Sequence, residues 1–421
     1  MNKKYILFFI ICILGFYFIS PSLSFAATNQ TFTLSPNSEP YENHYTHYHT
    51  YNAYTKQYYS LRSYLEHLEE TQGGTLILTK GTYTISNTLY VPSNVTIILN
   101  DGVKIIKGNK TGIKTLIPSH SIFQLVRPSR AAKKNVYGKY TGEKNIAFIG
   151  KGNATIDMKF KKDGIAIIAG HNENIKINNI HFQNMYSGHF IEMDATNHAS
   201  ITNNVFRNSI ASANKNKEAI NLDTPDRSTR GWSQQWSTFD KTANRYITIA
   251  NNTFSNLDRS IGTHKYSGGK FHDHIMIRNN KIDHMRNDAI RVMNWSNATI
   301  ENNTITNVAN RKGIFRAILA SGAINPTFQH NVIENVSRPI QFMAWKNSGP
   351  GSQYAITYNR LTKNNIKALM TNKTIHTNEN FIRINHKYNV FDHPQKIYLK
   401  NHMLQAGLHR IMYLFTTGDL F

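Results

Sequence analysis

One short phrase recurs six times in the middle of this chain: an apolar residue, two positions on one or two asparagines, then an apolar residue again. It occurs at Ile177–Phe182, Ile201–Phe206, Ile249–Phe254, Ile277–Ile282, Ile300–Ile305 and Phe328–Ile333. Successive starts lie 24, 48, 28, 23 and 28 residues apart, the longest step being two repeats plus an insertion. A period of this length, built of short β runs with no helical pattern between them, predicts a parallel β-helix in which each repeat is one coil. Leucine-rich repeats would need a leucine spacing that is missing, and propeller blades need longer repeats. Asparagine at a fixed place in each coil suits a tight turn, because it tolerates a left-handed backbone and can stack amide on amide. Those asparagines are therefore structural.

The flanks divide the remaining chain. In residues 1–26, Lys3 and Lys4 precede an apolar run from Tyr5 to Ile19, and Ser24, Phe25 and Ala26 complete an export signal with cleavage expected after Ala26. The single cysteine, Cys12, lies inside it, so disulfides and thiol chemistry drop out of the mature protein. Residues 27–55 read as a polar linker rich in Tyr and His. Tyr58, Leu61, Tyr64, Leu65 and Leu68 fall at helical spacing before a break at Gly73 and Gly74, which predicts a capping helix over 57–70. The solenoid is expected over 56–361, with insertions at 224–244 and 265–273, and a basic segment, 362–421, as a possible cap. After residue 26 no apolar run reaches 18 residues, which excludes a multi-pass helical membrane protein.

With 48 Lys and Arg against 25 Asp and Glu, the formal charge is +23, while 40% of residues are hydrophobic. This is a folded, strongly basic chain, drawn to anionic polymers. No nucleic-acid module is recognisable, so the expected partner is an acidic polysaccharide or cell-wall glycan, with no nucleic acid and no stable membrane partner once the signal is removed. A secreted monomer is expected.

The capping helix, Gly73-Gly74-Thr75 leading into Lys80-Gly81-Thr82-Tyr83, and the Asn-rich coils together resemble the pectate-lyase-like superfamily of right-handed parallel β-helices. The resemblance spans roughly residues 56–361. It implies that fold and a carbohydrate-active setting, within which lyases, hydrolases, epimerases, esterases and viral adhesins all occur.

A second strand precedes each Asn turn and can be registered on Ile191, Ile220, Ile261, Ile290, Ile318 and Ile340. Side chains alternate along a strand, so the residues one and three places after each anchor point outward and stack coil upon coil. The first column then reads Glu192, Asn221, Gly262, Arg291, Leu319, Gln341, and the second Asp194, Asp223, His264, Met293, Ser321, Met343. Near the strand entrance lie His189, Glu218, Arg259, Asp288, Arg316 and Arg338, which also read as a ladder of alternating charge. Like charges at Asp194 and Asp223 need a cation, a shared proton or a facing base, as functional sites often do. The insertions bring Arg227, Arg230, Trp232 and Trp236 on one side and Tyr266 and His272 on the other, with Trp295 at the same edge, as candidate sugar-binding walls.

The favoured chemistry is β-elimination on a uronate polymer. Arg291 or Arg259 would pair with the carboxylate, His264 would take the proton, and Tyr266 or His272 would donate to the leaving oxygen. Asp194 and Asp223, with Glu192, are candidate calcium ligands; Glu218 and Asp288 join the candidate binding residues. An epimerase would share the first step. Hydrolysis is the alternative: the order Asp194, Asp223, His264, Arg291 is similar to that of the catalytic residues in polygalacturonase-like hydrolases, although their motifs appear here only as Glu192-Met193-Asp194, Leu222-Asp223 and Gly262-Thr263-His264. A non-catalytic glycan-binding surface solenoid is the third reading.

Overall fold

The computed structural model describes residues 30–212, 217–308, 315–343 and 359–377, with the backbone of two short strands at Ile382–Asn385 and Tyr398–Leu399. The expected export signal, residues 1–26, and most of 378–421 lie outside the described residues. The chain winds as a parallel β-helix in which a full coil carries three strands, for example Ile165–Gly170, Glu173–Asn178 and His181–Met185. Among the described strand pairings every one is parallel except that of Ile382–Asn385 with Tyr398–Leu399.

Inward positions of each strand are apolar and fully buried, each contributing about 1.5–3 kcal/mol to stability. Phe182, Phe206 and Phe254 stack through the core with centroids 5.0 and 4.9 Å apart. The paired asparagines divide their labour. The first of each pair, such as Asn203, Asn251 and Asn279, takes the left-handed conformation. The second turns inward: Asn204, Asn252, Asn280, Asn303, Asn331 and Asn372 form a buried amide ladder, each of the first five donating to the next coil's Oδ1 at 2.8–3.1 Å.

The helix Lys56–Glu70 closes the first coil with Leu61, Leu65 and Leu68, as expected. The neighbouring segment is not a linker. Thr31–Leu34 adds a parallel strand beside Gly74–Leu78, and Tyr45, on the short 3-10 helix Asn43–His47, is buried against Arg62 and Tyr59. Its tyrosines supply apolar area that the first coil would otherwise expose. At the other end the coil pattern continues past residue 361: a helix, Lys363–Leu369, replaces one strand, and Lys373–Ile375 rejoins the sheet in register with Val332–Glu334.

Candidate functional site

The outward face is built as the spacing predicts. Ile191, Ile220, Ile261, Ile290, Ile318 and Ile340 are register partners in successive coils, and Glu192, Asn221, Gly262, Arg291, Leu319 and Gln341 stack beside them. Asp194 faces Asp223 across one interstrand step. The column is interrupted in the next coil, whose strand Arg259–Gly262 stops short of His264, and resumes with Met293 beside Ser321. The backbone N–H groups of His264 and Lys265 both donate to Asp223 Oδ1 at 2.7 Å, and the His264 ring swings to the strand entrance, where Nδ1 lies 3.6 Å from Glu218 Oε2. Gly262 does not open room for a ligand: a Cβ there would sit 2.8 Å from the Arg291 Cβ, so the glycine accommodates the next coil.

A groove of about 800 Å³ runs over this face from Thr88 and Ser121 to His264. Its floor carries Gln124, Ile168, Glu192 and Asn221, and Asp223 and His189 line it at the ionisable end. The 224–244 excursion supplies one wall by folding back over earlier coils. Trp236 Nε1 donates to Gln124 Oε1 at 3.1 Å, Tyr137 pairs with Ser237, and Trp232 and Trp236 press so closely on Gly170 that no larger residue fits. Glu143 fixes the partner segment through a two-point ion pair with Arg127 and a hydrogen bond from Tyr137.

The groove gathers some sequence-predicted residues and leaves others out. Asp223, Glu192, His264, Arg230 and Trp232 line it. Asp194 is wholly buried beside it. Trp236 packs behind Trp232, Trp295 faces the core with its N–H on Thr263 Oγ1, and Tyr266 is buried. His272 is buried too, its Nδ1 accepting the Asn244 N–H. Arg227 lies over the Phe239 ring at 3.7 Å. The entrance column is the alternating ladder that its sequence suggests: Arg259 lies 3.6 Å from Glu218 and 3.0 Å from Asp288, and Arg316 lies 3.1 Å from Asp288. Arg291, almost fully buried above Gly262, is not among the groove-lining residues. Among the described residues no three His, Asp or Glu side chains converge to hold a metal. Of the expected calcium ligands, Asp223 accepts two backbone N–H groups on Oδ1 and Glu192 Oε1 accepts from Asn221 Nδ2 at 3.1 Å.

Sequence reasoning did not single out Lys217 or Lys265, which place two cations on the groove, or Gln124 and Ile168, which extend its floor. Lys217 and Lys265 directly flank two site residues, Glu218 and His264, and that adjacency was the available signal. The floor residues become visible only once the coils stack.

Burial sets the ionisation states. Desolvation, reinforced by Asp223, raises Glu192 well above the ordinary carboxylate range, and desolvation with the Glu192 charge does the same to Asp194. Asp223 is pushed up by burial only to about 7, because backbone and Asn221 donors favour its ionised form. His189 is driven by burial down to about 3, and His264 well below its usual value. His189 Nδ1 faces the Glu218 carbonyl at 2.6 Å and must donate to it, so Nε2 is a bare acceptor 3.5 Å from Glu192 Oε2. A protonated Glu192 beside a neutral His189 is the consistent state.

These features define the class: a right-handed parallel β-helix protein with an acid-lined groove across successive coils. A family model described as a right-handed beta helix region matches residues 191–393. Among solved structures the chain is similar to the surface protein and adhesin PfbA of Streptococcus pneumoniae, at 16% identity over 84% of this chain and 100% of that one, with a TM-score of 0.54. A second PfbA structure matches at 16% identity over 81% and 92%, with a TM-score of 0.51. A carbohydrate-cleaving neighbour, a 1,3-α-1,4-β-D-galactose-4-sulfate-3,6-anhydro-D-galactose-2-sulfate 4 galactohydrolase, matches at 12% identity over 83% and 91%, with a TM-score of 0.46. A comparison with curated protein sequences found no match. No helix among the described residues is long and apolar enough to cross a membrane.

Proposed function

We propose that this is an exported carbohydrate-active enzyme that cleaves an acidic polysaccharide by hydrolysis, with Glu192 as general acid and Asp223 as general base. One observation carries the reading: two carboxyl groups one coil apart line one groove in different surroundings, Glu192 raised by burial and the neighbouring Asp223, and Asp223 held to about 7 by backbone and Asn221 donors. Glu192, whose buried setting favours the protonated form, can give that proton to the glycosidic oxygen as the C–O bond breaks. Asp223, substantially ionised near neutral pH, takes a proton from the water whose oxygen bonds to the anomeric carbon. Lys217, Lys265 and Arg230 offer cations to acidic substituents of the chain, and Trp232 an apolar wall.

A second reading, β-elimination, is favoured by His264 alone. Its Nδ1 is buried toward Glu218 while the ring lines the groove, and it is neutral at neutral pH, as a base abstracting the proton beside a uronate carboxylate must be. The electron pair then forms the double bond, and the leaving oxygen takes the Glu192 proton. Arg291, Arg259, Tyr266 and His272, the other expected actors in elimination, are buried outside the groove lining.

The test is incubation of the mature protein with a panel of anionic and neutral polysaccharides, reading reducing ends and the ultraviolet absorbance of unsaturated sugars together. Reducing ends without absorbance, lost in Glu192→Gln, are the expected result. Absorbance that disappears in His264→Ala would replace hydrolysis by elimination. Silence on every polymer, in a protein that still binds one, would leave a binding solenoid.

A further inference from the structure

Around the corner from the groove, where the next strand of each coil begins, one position is left-handed in coil after coil. Asparagine holds it early, at Asn94, Asn145 and Asn174, and late, at Asn297 and Asn325. There the amides join coil to coil, Asn145 to Asn94 at 2.9 Å, Asn174 to Asn145 at 2.8 Å and Asn325 to Asn297 at 2.8 Å. In the three coils between, the ladder is interrupted by His198, Tyr246 and His274, with φ of 57°, 55° and 51°. The register runs through them unbroken, since Asn197, Arg245 and Asp273 pair in sequence.

A left-handed tyrosine costs about 1–2 kcal/mol that an asparagine largely avoids. Burial does not offset it, because Tyr246 is 44% exposed and the His274 side chain 50% exposed. The three rings stack on one another, with centroids 4.8 and 5.0 Å apart and planes 18° and 29° from parallel. Both faces of Tyr246 are therefore covered, and what the stripe offers to solvent is ring edges with their phenol oxygen and imidazole nitrogens. His274 Nδ1 is engaged by Asp273 Oδ2 at 2.7 Å, which leaves Nε2 for a ligand. Strain held without burial points to use. The coils that pay it are those carrying Asp194, Asp223 and His264.

We propose that His198, Tyr246 and His274 form a second, non-catalytic site that holds a linear glycan along the solenoid axis, about one sugar ring per coil. Polar ring edges repeating at the interstrand spacing match a chain of hydroxyl-bearing rings of similar repeat. A nucleic-acid strand would need open ring faces for its bases, and here those faces are occupied. The inference rests on the polysaccharide reading for its choice of ligand but involves different residues and a different face of the coil.

Its test is native electrophoresis of the mature protein through gels containing polygalacturonate or a neutral β-glucan, alongside cleavage of short soluble oligosaccharides. The triple variant H198N/Y246N/H274N extends the neighbouring asparagine ladder and should fold. Its apparent affinity for at least one polymer should fall about tenfold, with oligosaccharide cleavage and Tm kept, whereas Trp232→Ala in the groove should impair cleavage. Retardation equal to wild type in the triple variant overturns the stripe. Wild-type protein that cleaves oligosaccharides yet is retarded by neither polymer overturns the stripe and spares the groove. Absence of both retardation and cleavage overturns both.

Discussion

At the scale of single residues, Asp223 is the position where chemistry and stability meet. In the folded protein it titrates near 7, against about 3.9 for a free aspartate, so across that interval the native state keeps a proton that the unfolded chain has lost. Its contribution to stability is therefore complete below about pH 4 and is lost as pH rises through about 7. His189 and His272, held by burial near 3, act in the opposite sense and add stability as pH climbs from about 3 to about 6.5. Asp223→Asn keeps the Oδ1 acceptor for the two backbone N–H groups, so it should raise Tm at pH 8 and much less at pH 5; equal melting of variant and wild type at pH 8 would remove the buried-proton argument. The same variant should lower turnover about 10²–10⁴-fold. In wild type, turnover should rise with pH through about 7 as Asp223 ionises, which a pH–rate profile reads directly.

At the scale of the element, the Asn pair shows how one repeated dipeptide does two jobs. Asn280 Oδ1 accepts the backbone N–H and the amide of Asn252, and its own amide serves the Ile249 carbonyl and Asn303 Oδ1. Asn280→Ala strands these buried groups and should cost roughly 2–5 kcal/mol. Asn279 only needs a positive φ, 56°, so Asn279→Gly should stay within about 1 kcal/mol. Thermal melts of the pair check the division of labour, and similar losses at both would refute it. The wall of the groove depends on another single position. At Gly170 a Cβ would meet Trp232 at 2.6 Å and Trp236 at 2.8 Å. Gly170→Val should lift that wall, costing about 1–3 kcal/mol, and abolish polymer cleavage while circular dichroism still reports the solenoid.

At the scale of the whole molecule, the excess of 48 Lys and Arg over 25 Asp and Glu gives a field that favours anionic chains, with Lys217, Lys265 and Arg230 bringing it to the groove. Exposed charges are screened within about 10 Å at 0.1 M salt. Affinity for an anionic glycan should thus fall steeply between low salt and 0.5 M, and less steeply for Lys265→Ala. Salt-independent binding, measured by titration calorimetry, would disconnect the charge from substrate choice.

The sequence by itself determined the solenoid, its register and the identity of the outward columns, because a strand alternates with period two and each coil repeats the one before. Ile191, Ile220, Ile261 and Ile290 could be stacked from spacing alone. It also specified the alternating ladder of Glu218, Arg259, Asp288 and Arg316. Only the tertiary structure decided which outward residues line the groove. Where a strand stops, periodicity carries no further information, and His264, two residues past Gly262, turns toward Glu218 instead of stacking on Asp223. Excursions are equally silent about their direction: the 224–244 segment reaches back over Gln124 and Gly170, which puts Trp232 on the groove while Trp295 stays in the core. Local repetition fixes neighbours one coil away, whereas loops are placed by the packing and hydrogen bonds they find at long range.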